Sequence, residues 1–138
     1  MTHRTEAKLF EYGDFISHSG NTLKFKIECD AFDIDDWNTI ADMIMTFQDE
    51  PFRTVEGIPR GGIPLADALR RYATGDPSHQ PMIVDDVFTT GKSFIDYLDE
   101  HYSNTLMAWG YKWVVFARTP IHTTPAHKLG VKALFTMP

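Results

Sequence analysis

The stretch Pro81-Met-Ile-Val-Asp-Asp-Val-Phe-Thr-Thr-Gly-Lys-Ser93 joins an apolar strand, two adjacent carboxylates and a hydroxyl-rich turn that opens a helix at Ser93-Phe-Ile-Asp-Tyr-Leu. Such a turn aims several backbone N–H groups at one point, beside the positive end of a helix dipole, and this suits a phosphate. Asp85 and Asp86 come at the strand's carboxyl end, where open α/β sheets bind ligands. As acceptor-only groups they suit two sugar hydroxyls and can help hold a divalent cation. The parts together describe a site for a phosphorylated ribose. The plain alternative is an Asp-rich turn followed by a Thr or Ser helix cap. Gly91-Lys92-Ser93 also looks like the tail of a Walker A loop, which needs a glycine where Asp86 stands. Its negative charge would face nucleotide phosphates, so that reading fails.

A second segment, Val55-Glu-Gly-Ile-Pro-Arg-Gly-Gly-Ile-Pro-Leu-Ala66, carries consecutive glycines that let backbone approach a ligand. Arg60 can make paired charge-assisted bonds to phosphate oxygens. The helix that follows offers free N–H groups to an anion. An ordinary strand-to-helix turn uses the same Gly and Pro chemistry. A third segment, Tyr12-Gly-Asp-Phe-Ile-Ser-His-Ser-Gly-Asn-Thr-Leu-Lys-Phe25, leads into an alternating strand.

The first segment resembles the phosphoribosyl-pyrophosphate motif of type I phosphoribosyltransferases. The second resembles their pyrophosphate loop in its Pro-Arg-Gly-Gly form, and the third is similar to the start of orotate phosphoribosyltransferases. They fall in the family's order from the N-terminus to about Ser93. The resemblance implies transfer of ribose 5-phosphate from magnesium-bound phosphoribosyl pyrophosphate to a nucleobase, an orotate-like pyrimidine among the options. The alternative is a non-catalytic sensor that binds phosphoribosyl pyrophosphate or a nucleotide.

By that resemblance Val87, Phe88, Thr89, Thr90, Gly91, Lys92 and Ser93 grip the 5′-phosphate, and Asp85 and Asp86 take the ribose hydroxyls and assist Mg2+. Ile58, Pro59, Arg60, Gly61 and Gly62 hold the pyrophosphate, in a loop that often contains a non-proline cis peptide. The catalytic candidates are Asp85, Asp86 and Arg60. His18 stands where the orotate enzymes have a lysine; with Phe25, Lys26 and Arg118 it makes the candidate base pocket. Phe25 and the neighbouring lysines also read as an ordinary alternating strand. Glu56 is a weaker candidate for the sugar or metal. The family's mobile lid, with its catalytic lysine, has no counterpart in the short segment Ala73–Gln80. A homodimer is a further implication.

With 138 residues, 43% of them hydrophobic, the chain is expected to form one domain. A hairpin hood over 1–30 and an α/β core over 31–138 divide it. A net charge of −6 with no basic run argues against a nucleic-acid partner. No membrane-length apolar run is present, and the single cysteine, Cys29, excludes an internal disulfide and fits a reducing cytoplasm. The histidines lack zinc-ligand spacing.

Hydrophobic patterning predicts strands at Asp14–His18 and Thr22–Glu28 around Gly20-Asn21, then a helix capped by Asp33 or Asp35 with Trp37, Ile40, Ala41, Ile44 and Phe47 on one face. Further strands are expected at Arg53–Glu56, Met82–Val84, Tyr111–Ala117 and Val131–Thr136, and helices at Ile63–Tyr72 and Ser93–His101. The alternation implies a small, mostly parallel sheet flanked by helices, with right-handed crossovers and the N-terminal hairpin as a cap.

Overall fold

The computed structural model describes residues 10–16, 22–27, 29–102 and 110–137. Two sheets are present among the described residues. Strands β1 (Phe10–Ile16) and β2 (Thr22–Ile27) pair antiparallel, from Phe10 opposite Ile27 to Ile16 opposite Thr22. β1 starts before the expected Asp14 because the pairing runs on to Phe10. Gly20-Asn21 and His18 lie outside the described residues.

The second sheet is wholly parallel, in the order β3 (Phe52–Gly57), β4 (Gln80–Phe88), β5 (Tyr111–Ala117) and β6 (Val131–Thr136). Its central strands read Met-Ile-Val and Trp-Val-Val-Phe because both faces are covered, as in parallel sheets generally. Helix α1 (Ile34–Phe47) begins at a reciprocal cap: Asp36 N–H donates to Asp33 Oδ1 at 2.9 Å, and Asp33 N–H donates to Asp36 Oδ2 at 3.0 Å. Trp37, Ile40, Ala41 and Ile44 are buried as the periodicity predicts, whereas Phe47, in the last turn, is exposed. Helix α2 (Ile63–Leu69) gives way to a 3-10 turn at Arg70–Tyr72, and α3 (Lys92–His101) follows β4.

Alternate residues of the same strands divide the core. Met82, Val84, Trp113 and Val115 pack with α1 and α2, whereas Ile83 and Val114 pack with Phe94 and Leu98 of α3. The order β3-β4-β5 moves the same way twice, yet α2 and α3 lie on opposite faces. Such crossovers have opposite hands, so one of the two departs from the expected right-handed rule. The segment between α2 and β4 is tied to the amino end of the sheet: Thr74 N–H donates to the Phe52 carbonyl and Gly75 N–H to the Arg53 carbonyl, both at 2.9 Å. Both ligand-loop candidates leave from the opposite, carboxyl end. No described helix is long and apolar enough to cross a membrane.

Candidate functional site

β4 does not stop at Val84; it continues through both aspartates to Phe88. The turn Thr89-Thr90-Gly91 then leads into α3, with Gly91 as N-cap at φ 85°. Glycine is required twice over, because a Cβ there would collide with Ala126 and the left-handed backbone disfavours any other residue. The turn is anchored from the neighbouring strand end: Arg118 N–H donates to the Phe88 carbonyl at 2.8 Å and Thr119 Oγ1 to the Thr89 carbonyl at 3.2 Å. Its own hydroxyl chemistry adds a bond from Lys92 N–H to Thr90 Oγ1 at 3.3 Å. The Lys92 ammonium pairs with Asp96 on the exposed side of α3, so its contribution to the turn is backbone. This leaves a fixed helix N-terminus whose first-turn N–H groups face the carboxyl edge of the sheet.

The Pro59–Arg60 peptide bond is cis, as the resemblance implies. Ile58 N–H extends the β3–β4 ladder to the Val84 carbonyl at 2.9 Å. The N–H groups of Gly62 and Ile63 are already taken, by Ile58 O at 2.9 Å and Arg60 O at 3.2 Å. The expected supply of free N–H groups from α2 is therefore smaller; no described carbonyl takes the N–H of Arg60 or Gly61. Arg60 is exposed. Gly61 lies against β4 so closely that a Cβ would strike the Asp86 carboxylate, and one at Gly62 would strike the Val84 carbonyl. The two glycines thus bring this loop onto the strand that carries the aspartates.

Asp85 and Asp86 differ sharply in environment. Asp85 is buried at 7% exposure, and its Oδ1 accepts from Asp86 N–H at 2.9 Å. Burial first, then the charge and hydrogen bonding of the Asp86 carboxylate, push Asp85 up to about 8. Asp86 is half-buried, and its Oδ1 accepts from Val87 N–H at 2.8 Å. At neutral pH Asp85 therefore favours its protonated, uncharged form. Asp86 is the more accessible of the two.

An open cavity of about 230 Å3 adjoins this point, lined by Cys29, Phe32, Trp37, Arg60, Gly61, Pro64 and Asp86. Phe32 is fixed edge-on to Trp37 at 5.1 Å and stacked with Phe116 at 6.4 Å. Trp37 is buried on one face of α1 as the periodicity predicts, yet that pattern does not show that with Cys29 and Phe32 it walls a cavity beside the loops. No local motif announces this, because the wall forms only when α1 packs on the sheet. Of the base-pocket candidates, Arg118 is half-buried at the end of β5, with burial lowering its pKa. Phe25 and Lys26 stand on β2, opposite Tyr12 and Glu11, and His18 lies outside the described residues. Glu56 faces neither loop: its Oε2 accepts from Tyr97 and Tyr102.

No protein-family model matches the sequence, and no curated protein matches it. Solved structures do. Orotate phosphoribosyltransferase from Aeropyrum pernix is similar over 93% of this chain and 88% of its own, with a TM-score of 0.70 and 24% identity. The Mycobacterium tuberculosis orotate phosphoribosyltransferase solved with inorganic phosphate is similar over 91% and 87%, at 0.62 and 16%. UMP synthase from Leishmania donovani matches 93% of this chain, which spans only 33% of that protein, with a TM-score of 0.70 and 16% identity. The parallel sheet, the placement of both glycine loops at its carboxyl edge and these likenesses agree: the chain has the fold of the type I phosphoribosyltransferases.

Proposed function

We propose that this protein is a phosphoribosyltransferase that moves ribose 5-phosphate from magnesium-bound phosphoribosyl pyrophosphate to a nucleobase nitrogen. The bond from the anomeric carbon to the pyrophosphate oxygen breaks, a bond to the acceptor nitrogen forms, and that nitrogen loses its proton to solvent. The observation that carries the reading is the approach of Gly61 to Asp86, which joins two separate loops into one surface. The N-terminus of α3 and its turn would hold the 5′-phosphate, Asp86 the ribose hydroxyls, and Arg60 with Gly61 the pyrophosphate.

No group of three or more His, Cys, Asp or Glu residues able to hold a metal occurs among the described residues. The site therefore fits a Mg2+ ion carried in on substrate phosphates, with Asp86 as its accessible carboxylate, and not a protein-made cage. Bound there, such an ion would neutralise charge on the leaving group.

One observation favours the second reading, a sensor without turnover. Residues 73–79 sit at the amino end of the sheet and cannot cover the ligand edge. Magnesium-dependent pyrophosphate release, measured against purine, pyrimidine and nicotinate-like acceptors, separates the two. Release with one base supports the transferase; tight binding without release supports the sensor.

A further inference from the structure

Glu56 is the last residue but one of β3, the edge strand that runs into the Ile58–Gly62 loop. Its Oε2 accepts hydrogen bonds from Tyr97 at 2.9 Å, on α3, and from Tyr102 at 2.7 Å, at the C-cap of α3. α3 is the helix whose N-terminus follows the Thr89–Gly91 turn. One carboxylate oxygen therefore links the strand leading into one loop to the helix leaving the other.

The rest of α3 is anchored elsewhere. Phe94 and Leu98 pack with Ile83 and Val114 on the central strands, and with Ile58 at the foot of the loop. Glu56 adds a directional tie to the edge strand itself, on the same face. Both tyrosines are held neutral, as the tie requires. Burial first, then the hydrogen bond to Glu56, raises Tyr97 to about 12, and the same causes raise Tyr102. The His101 ring lies against that of Tyr97, 4.3 Å between centroids and tilted by 38°.

We propose that Glu56 is a positioning residue that fixes the separation of the two loops, so that a ligand bearing both a phosphate and a pyrophosphate is bound in preference to one bearing either alone. This rests on the phosphoribosyltransferase reading. A ligand that spans two anchors depends on their spacing, whereas a ligand on one anchor does not. The sequence alone had offered Glu56 to sugar or metal; its two tyrosine partners assign it this indirect role.

Three ligands and two variants test it. Ribose 5-phosphate probes the α3 turn, magnesium pyrophosphate probes the Arg60 loop, and phosphoribosyl pyrophosphate probes both. In Tyr97→Phe/Tyr102→Phe, which removes only the hydroxyls, and in Glu56→Leu, affinity for the spanning ligand should fall about tenfold, with each single-anchor ligand held within about twofold. Glu56→Gln, which can still accept from a tyrosine, should recover part of the loss. In the same variants, amide hydrogen exchange at Ile58 and Gly62, whose N–H groups are hydrogen-bonded to Val84 O and Ile58 O, should quicken without ligand present. Equal weakening of all three ligands, or unchanged affinity and exchange in the double variant, would overturn the proposal. A wild-type protein that binds none of the three defeats the phosphoribosyltransferase reading instead, and the exchange measurement then still decides whether Glu56 couples helix and loop.

Discussion

Asp85 keeps a proton that an exposed aspartate would lose near its ordinary value of 3.8, and this has a consequence for stability. Between about pH 4 and 8 the folded chain holds a proton that the unfolded chain releases, so stability falls as pH rises through that window. The slope approaches 1.4 kcal/mol per pH unit, the free energy of one pKa unit, about midway through it. Asp85→Asn should therefore raise the melting temperature at pH 8 and do little near pH 4. An equal gain at both would show that Asp85 is ionised in the fold. Ligand binding should separate the neighbours in the other direction. Asp86→Asn should weaken phosphoribosyl pyrophosphate by at least ~1.5 kcal/mol in calorimetry, typical of a hydrogen bond to a charged group, and by more than Asp85→Asn does. The order of these losses was hidden in the sequence, where the two aspartates are equivalent. Burial distinguishes them.

At the scale of elements, caps and turns carry most of the local information. The sequence offered Asp33 or Asp35 as the helix cap; Asp33 is the cap in the structure, with Asp36 returning a bond, so Asp33→Ala should cost about 1 kcal/mol in urea unfolding. Gly91 was expected from its turn chemistry alone, but the structure adds the methyl of Ala126 at the position its Cβ would occupy. Gly91→Ala should then destabilise by more than the ~1–2 kcal/mol of a left-handed backbone, and Ala126→Gly should restore part of the excess. A double-mutant cycle with no coupling would remove that contact from the account. β5 and β6 match their expected limits because β-branched and aromatic runs leave little choice. The end of β4 was misjudged, because two aspartates look like a strand terminator until β5 pairs alongside them.

For the whole molecule, the decisive feature is the direct neighbourhood of β3 and β4. The two crossovers run in one direction with their helices on opposite faces, and residues 73–79, which lead into β4, lie at the amino edge of the sheet. Residues 73–79 would then leave an anomeric carbon bound at the carboxyl edge uncovered, and water near it would dilute electrostatic stabilisation. Under the proposed function, phosphoribosyl pyrophosphate should bind well but turn over slowly, with hydrolysis to ribose 5-phosphate competing against nucleotide formation. Phosphorus NMR follows both products in one tube. Fast transfer without hydrolysis would mean that another segment closes the site.

Local chemistry settled the strand and helix types and the glycine turns, and narrowed the cap of α1 to Asp33 or Asp35, because each depends on neighbours a few positions away. It could not settle which aspartate is buried, that Glu56 is bound by two tyrosines, that Phe32 and Trp37 wall a cavity beside Arg60, or the hand of a crossover. Those depend on which faces meet when α1, α2 and α3 pack on the sheet. Contacts between residues distant in sequence set them.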